Sequence, residues 1–367
     1  MALIKLNTNS LSDNAVTTDK IVNDGNLGNR NLIINGSMAI DQRNGGSSVT
    51  PTADQTYVLD RFGAGLSVAS KFSLEQTTTV PAGFKNSMKA TVVSAYTPGA
   101  SEWFGFFQKV EGLNTSHLDF GTSNAKTLTL SFWVRSSVTG DYGFSLANSA
   151  QNRAYPVLYN ISAADTWEHK TITIAGDTSG TWLTTNGVGL ILLWSLGAGS
   201  SFLQTANAWG TGLGLGTTGQ TNWITNAAAT FYITGVQLEL GETATPFEHR
   251  SYGDELARCQ RYYVQLINGS DHSVSIGSAL GSGANQARAV VQFPVEMRSS
   301  PSIVSNSGTN YFTIEGIISF NGPMLTTYKN TRAAMLYFST GTTLTNGQSG
   351  VFRSNNASTS LAFKAEL

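Results

Sequence analysis

Charge is scarce in this chain: Lys, Arg, Asp and Glu make up 12% of its 367 residues and balance to a formal net charge of -1. That is about half the ~25% usual for soluble domains. No run of Lys and Arg stands out, and phosphate neutralisation depends on such clusters, so nucleic acid is not an expected partner. Cysteine is nearly absent. Cys259 stands alone, which excludes an intrachain disulfide, and its helical spacing from Leu256 and Tyr263 predicts a packed thiol. No apolar run approaches the ~20 residues that cross a bilayer, so membrane insertion is not expected. The opening MALIKLNTNS lacks the basic region and long apolar core of a cleaved export signal.

Catalytic patterns are missing too. There is no GxSxG, HExxH or GxxxxGK[ST] run, and His117, His169, His249 and His272 stand apart. Asp41, Asp54, Asp60, Glu102, Glu111, Glu239, Glu242 and Glu248 could form the carboxylate pair of a glycosidase only by converging in the fold. The expectation is a protein that is not an enzyme.

What the chain has in quantity is Gly, at 38 residues, with abundant Ser, Thr and Asn, the residues of tight turns between strands. Its length suits two domains. Short strand patterns at 57–62, 71–76, 88–93, 103–110, 127–135, 143–146, 155–161, 169–174 and 188–194 predict a β-sandwich. In TLTLSFWV, Leu128, Leu130, Phe132 and Val134 share one face and Trp133 takes the other, as in a central strand. VGLILLW at 188–194 is almost continuously apolar and should be covered on both faces or meet a partner subunit. The glycine-rich 197–219 reads as a lid, a binding loop, an intersubunit contact or a chance run of turns.

A joint follows at 231–263, FYITGVQLELGETATPFEHRSYGDELARCQRYY. Alternation through Leu240 predicts a strand with a break of step at Gly235, and Ser251 followed by Asp254 predicts a capped helix. A second antiparallel set is expected at 262–266, 273–276, 288–293, 302–305, 311–318, 333–338 and 361–365, with Pro294 and Pro301 at strand ends. The fold class expected is all-β: a jelly-roll β-sandwich, a short linker helix and a smaller C-terminal antiparallel β-sandwich.

The joint resembles a segment of tail fibre and related receptor-binding proteins of tailed bacteriophages, where a jelly-roll module ends in a VQLE-G-x-x-ATPFE-x-R run. NLIINGSMAIDQR at 31–43 is similar to the first strand of those modules, YVLDRF at 57–62 to their Y-x-x-DRW or DRF run, and LAFKAEL at 361–367 to a closing strand. The resemblance implies a virion-attachment segment at 1–30, a carbohydrate-binding-module-like jelly-roll at 31–252, and a helix with a distal receptor-binding sandwich at 253–367. It further implies a homotrimer in the virion tail, assembled in the host cytoplasm, whose partners are tail or baseplate proteins and host surface polysaccharide. No cofactor is expected, although a structural calcium ion would suit jelly-roll modules of this kind. The rival expectations are a structural adaptor or decoration protein and a capsule or cell-wall depolymerase.

Sugar recognition rests on aromatic rings that stack on pyranose faces, with amide and hydroxyl groups bonding the sugar hydroxyls. Trp182, Trp209 and Trp223 lie in Gly-, Thr- and Asn-rich context, and Tyr328 and Asn330 in NGPMLTTYKNTR are similar candidates. No metal-ligand spacing is evident.

Overall fold

The computed structural model describes residues 29–268, 275–281, 285–305, 311–315, 318–320, 325–339 and 344–367. The expected attachment segment 1–30, apart from Asn29 and Arg30, lies outside the described residues, as do 273–274 and 316–317 of the expected strands.

Among the described residues, strands precede the helix in the order β1 (Thr56–Leu59), β2 (Phe62–Leu66), β3 (Phe72–Thr77), β4 (Ser87–Val92), β5 (Trp103–Glu111), β6 (Leu128–Ser136), β7 (Gly140–Ala147), β8 (Arg153–Ile161), β9 (Glu168–Ile174), β10 (Val188–Ala198), β11 (Gly210–Thr211) and β12 (Thr230–Leu240). They make two antiparallel sheets, β1-β2-β5-β10-β7-β8-β11 and β3-β4-β12-β6-β9. Alternation decides what lies between them. Leu128, Leu130, Phe132 and Val134 of β6 all point into one core, where they meet Phe62, Phe106, Phe144, Trp194 and Phe231. The outward face of β10 is also covered. Its Ile191 and Leu193 join Phe107 and Leu215 in a second cluster, against which Phe202, Leu203 and Leu213 pack. The glycine-rich segment is therefore a cover laid over the larger sheet.

After α1 (Tyr252–Gln260) come β13 (Tyr263–Asn268), β14 (Ser275–Gly281), β15 (Gln286–Gln292), β16 (Ser302–Ser305), β17 (Phe312–Ile314), β18 (Ile318–Phe320), β19 (Leu325–Lys329), β20 (Ala333–Ser339), β21 (Ser349–Ser354) and β22 (Ser360–Lys364). They form sheets β13-β22-β16 and β18-β17-β21-β14-β15-β20-β19 around a separate core that includes Phe293, Phe312, Leu336, Phe352 and Phe363. The helix starts as its cap predicts, with the Asp254 amide donating to Ser251 Oγ at 3.2 Å. Cys259 is fully buried with Ile34, Ile40 and Tyr262.

Two local expectations are corrected. YVLDRF is not one strand: β1 and β2 form a hairpin that turns at Asp60 and Arg61, with Arg61 in the left-handed region at φ 69°. The alternation hid the turn because Phe62 resumes it after the break. Likewise 31–43 contains no regular strand. It runs irregularly beside β12, where Leu32 N–H donates to the Leu238 carbonyl and Val236 N–H to the Gly36 carbonyl, each at 2.9 Å.

Side chains of the 237–250 run fasten that lead-in segment. Glu248 accepts the amides of Asn29 and Asn31, each at 2.7 Å. Asn31 Oδ1 accepts the amides of Ile33 and Leu238, and Arg250 donates to the carbonyls of Ile33 and Asn31. Glu239 holds the turn below through the Thr245 amide at 2.9 Å and hydroxyl at 2.6 Å. The run that carries the family resemblance is thus a clasp closing the sandwich.

The two sandwiches meet through buried charge. Arg61, 1% exposed, is ion-paired with Glu366, donates to the Lys109 carbonyl and lies 3.6 Å over the Tyr262 ring. Arg43 reaches the same carboxylate at 2.6 Å and lies 3.7 Å over Tyr263. Beside them Glu111 accepts a fork from Arg261 at 2.9 and 2.7 Å and the Tyr262 hydroxyl at 2.6 Å. Burial alone would raise the Glu111 carboxyl, but these donors hold it below its ordinary range. Asp60 goes the other way. Burial outweighs its two bonds from Gln42 and raises its pKa from 3.8 to about 6.

Three outcomes are expected. Arg61→Met leaves Glu366 with Arg43 as its guanidinium partner and the Lys109 carbonyl without the Arg61 donor, and should cost about 1–3 kcal/mol, with the two sandwiches melting as separate transitions in calorimetry. Glu248→Gln should weaken the clasp by about 1–3 kcal/mol and speed hydrogen exchange at the Asn31 amide. For Asp60, the folded state holds the proton more tightly than the unfolded chain, so its contribution is full below pH 3.8 and lost as pH rises through about 6. Melting curves of Asp60→Asn should lack that slope; an unchanged slope assigns it to other groups.

Candidate functional site

At one end of the first sandwich three loops converge: 112–127 between β5 and β6, 175–187 between β9 and β10, and 199–222 between β10 and β12. Each contributes one ring. Phe120, Trp182 and Trp209 are half-buried and mutually edge-on, with centroids 4.9, 5.9 and 5.4 Å apart and interplanar angles of 86°, 85° and 81°. Tyr155 of β8 supports Trp209 from behind at 5.2 Å.

Local bonding fixes these rings. Trp209 directly precedes β11, whose Gly210 pairs with Ala154 of β8, and its indole N–H donates to the Ala175 carbonyl at 2.7 Å. The Trp182 indole donates to the Ser179 carbonyl at 3.0 Å. Beneath both, buried Asp177 accepts a fork from Arg153 at 2.7 and 2.6 Å and the Ser179 amide at 3.1 Å. The Asp177 bonds hold the Arg153 guanidinium above its ordinary value. The Asp177 carbonyl also accepts the Gly121 amide at 2.7 Å, and Gly112 N–H donates to the Gly187 carbonyl at 2.8 Å, so the first two loops are tied together. Both are anchored to the second sandwich. Arg261 grips Glu111 just before one loop, and Arg298 donates to the Asn186 carbonyl at 2.8 Å at the end of the other.

A cavity of about 170 Å³ opens beside Phe120 and Trp182. Leu118 and Leu190 of the core line it, together with Leu183 and the polar Thr115, Ser116, Asp119, Thr122 and Thr184. Apolar rings beside hydroxyl and carboxylate groups suit a ligand with one hydrophobic and one hydroxylated side.

Trp182 and Trp209, two of the residues singled out in the sequence, are therefore brought together. Trp223 is not. It is fully buried in the core against Phe231, with its indole N–H 3.3 Å from the Thr230 carbonyl, and offers no face to a ligand. Tyr328 is 64% exposed on the second sandwich, 6.3 Å from Tyr337. Asn330 Oδ1 is taken by the amides of Arg332 and Ala333 in the turn between β19 and β20. Both lie on the second sandwich, whereas the loop-end rings belong to the first. Missed in the sequence were Phe120 and Asp119, whose loop had no aromatic grouping to mark it. Also missed was a row on the outer face of the five-stranded sheet, where Trp133 meets His169 at 5.1 Å and Trp167 meets Tyr232 at 6.1 Å.

No three Asp, Glu, His or Cys side chains converge among the described residues. Asp41 is occupied by the amides of Asn44 and Gly46, and Asp60 by Gln42.

No family model and no curated protein sequence matches the chain. Among solved structures the chain is similar to the enzymatically active domain of Bacteriophage CBA120 tailspike protein 4, at 12% identity and a TM-score of 0.32 over 57% of this chain and 21% of that one. It is also similar to a family 11 carbohydrate-binding module from Clostridium thermocellum in complex with a mixed-linked tetrasaccharide, at 14% identity and 0.27 over 53% and 97%. A family 22 module of a Clostridium thermocellum protein matches at 10% and 0.29 over 55% and 98%. The match spans about a fifth of the tailspike chain. At these scores no ligand and no activity carries over.

Gly121 tests how the rings are set. It sits at φ +83°, and a Cβ there would stand 2.8 Å from the Gly180 carbonyl and 3.3 Å from Trp182 Cδ1. Gly121→Ala should cost about 1–3 kcal/mol and alter the near-ultraviolet circular dichroism of the tryptophans; an unchanged spectrum would mean that Trp182 is not held by this contact.

Proposed function

We propose that the chain is a non-enzymatic adhesin of a phage virion that binds host surface glycans through the loop end of its first sandwich. The observation that carries the glycan reading is the pinned corner of Phe120, Trp182 and Trp209 beside a hydroxyl- and carboxylate-lined cavity. The virion context rests on the resemblance of 231–263, 31–43 and 57–62 to tail fibre proteins. Asp119 is the one carboxylate in the lining of this cavity, whereas a glycosidase uses two. In this reading the 1–30 segment attaches the chain to the tail, a homotrimer presents several copies, and weak single contacts add by multivalency, worth ~100-fold or more in avidity.

Binding of the purified protein to a panel of bacterial surface polysaccharides, with mass by light scattering in the same buffer, tests the reading. Trp182→Ala should weaken binding about tenfold, because a stacked ring contributes ~0.5–1.5 kcal/mol beyond the area it buries, while the thermal melt falls modestly because Trp182 also packs on Phe120 and Trp209. Loss of binding in Trp133→Ala with Trp182→Ala unaffected would move the site to the outer sheet face. Release of reducing ends would establish a depolymerase instead. Binding to no glycan would favour the adaptor role.

A further inference from the structure

We infer that the cavity beside Trp182 takes a single uncharged hexopyranose at the end of a glycan chain, seated end-on. The inference rests on the glycan reading above and narrows it. Size is the first ground. At about 170 Å³ the space falls below the ~300–1,000 Å³ of pockets for drug-sized ligands, and it ends on Leu118 and Leu190, which are 0% and 1% exposed. One ring fits such a space and a run of rings does not.

Ring geometry is the second ground. A flat polysaccharide run needs coplanar aromatic faces at successive sugars. Here the two rings that line the cavity stand at 86°, and Trp209 behind them is perpendicular to both. They form a corner, which can stack one pyranose face on one ring while the other walls its edge.

Hydrogen bonding supplies the third. Both indole N–H groups already donate to backbone carbonyls, so the rings offer only their faces. Hydroxyl recognition falls to Ser116, Thr184 and Asp119. The Thr115 and Thr122 hydroxyls already donate to the Gly112 and Asp119 carbonyls, and Thr122 Oγ1 also accepts the Asn124 amide at 3.1 Å, so what each can still offer a sugar is an acceptor lone pair. Acceptors therefore predominate, as suits a polyol that brings its own donors. A sugar carboxylate would face Asp119. Lys126 stands 3.6 Å from its carboxylate in an exposed pair of the kind that contributes little. His117, on the adjoining turn, is pushed below its ordinary value by partial desolvation and by Lys126.

The test is calorimetric titration of the full chain with the methyl glycosides of glucose, galactose and mannose and with the matching methyl uronates. Competition by the same compounds against the polysaccharide bound in the panel runs alongside. At least one neutral methyl hexopyranoside should bind and displace the polysaccharide, and its uronate should be weaker by about tenfold or more. Asp119→Asn should narrow that gap by about the same factor. Asp119 sits at φ 56°, a conformation Asn also tolerates, so the variant is expected to fold. Equal binding of uronate and neutral sugar overturns the inference. So does Trp182-dependent polysaccharide binding that no monosaccharide competes, which leaves the glycan reading intact. Polysaccharide binding indifferent to Trp182 removes the site altogether.

Discussion

A guanidinium taken out of water must find charge and acceptors at once, and the junction of this molecule is built around that requirement at Arg61. Its partners come from distant stretches of chain: Glu366 beyond the last strand, the Lys109 carbonyl on β5 and the Tyr262 ring just after the helix. Satisfying one buried cation thus brings the hairpin β1–β2, the sheet centre and both ends of the second sandwich together. Arg43, Asp60, Glu111 and Arg261 extend the same network. Buried polar networks specify a unique arrangement where a purely apolar contact would tolerate sliding. Here they set how one sandwich sits on the other.

That setting reaches the candidate site. The loops that bear Phe120 and Trp182 begin or end at residues gripped from the second sandwich, Glu111 by Arg261 and Asn186 by Arg298. Arg298 also bonds the carbonyls of Ala365 and Glu366, so the last strand, the junction and the Trp182 loop share one guanidinium. A corner of rings on loops gains its rigidity from such supports, because loops by themselves have more conformational freedom to lose than strands do. The second sandwich acts, on this view, as a brace for the first.

The run that carries the family resemblance has a different part to play. Gln237, Glu239, Glu248 and Arg250 spend their polar atoms on the backbone of 29–33 and 245–248. Their identity is dictated by unsatisfied amides and carbonyls where an irregular segment leaves the sandwich. Such a motif reports architecture. The candidate ring corner lies in loops with no such signature, where a change of one side chain leaves the clasp untouched.

Several features followed from residue order alone. The inward face of β6, the capped start of α1 and the buried Cys259 are local consequences of alternation, capping and helical spacing, and each was legible. So was the double covering of β10, whose apolar residues leave no face for water. Tertiary structure decided the rest. Arg61 turns the chain in a left-handed conformation that its sequence does not advertise, since the reason is the ion pair and ring it meets more than 200 residues away. Trp182, Trp209 and Trp223 look alike in Gly- and Thr-rich context, yet only the loops' mutual bonding places two at a corner and leaves the third in the core. Phe120 and Asp119 became candidates only when Gly121 was tied to Asp177 across the loops. Local sequence determines which face of an element is apolar; which loops share an end of the sandwich depends on strand order, and that is set by the packing of the whole chain.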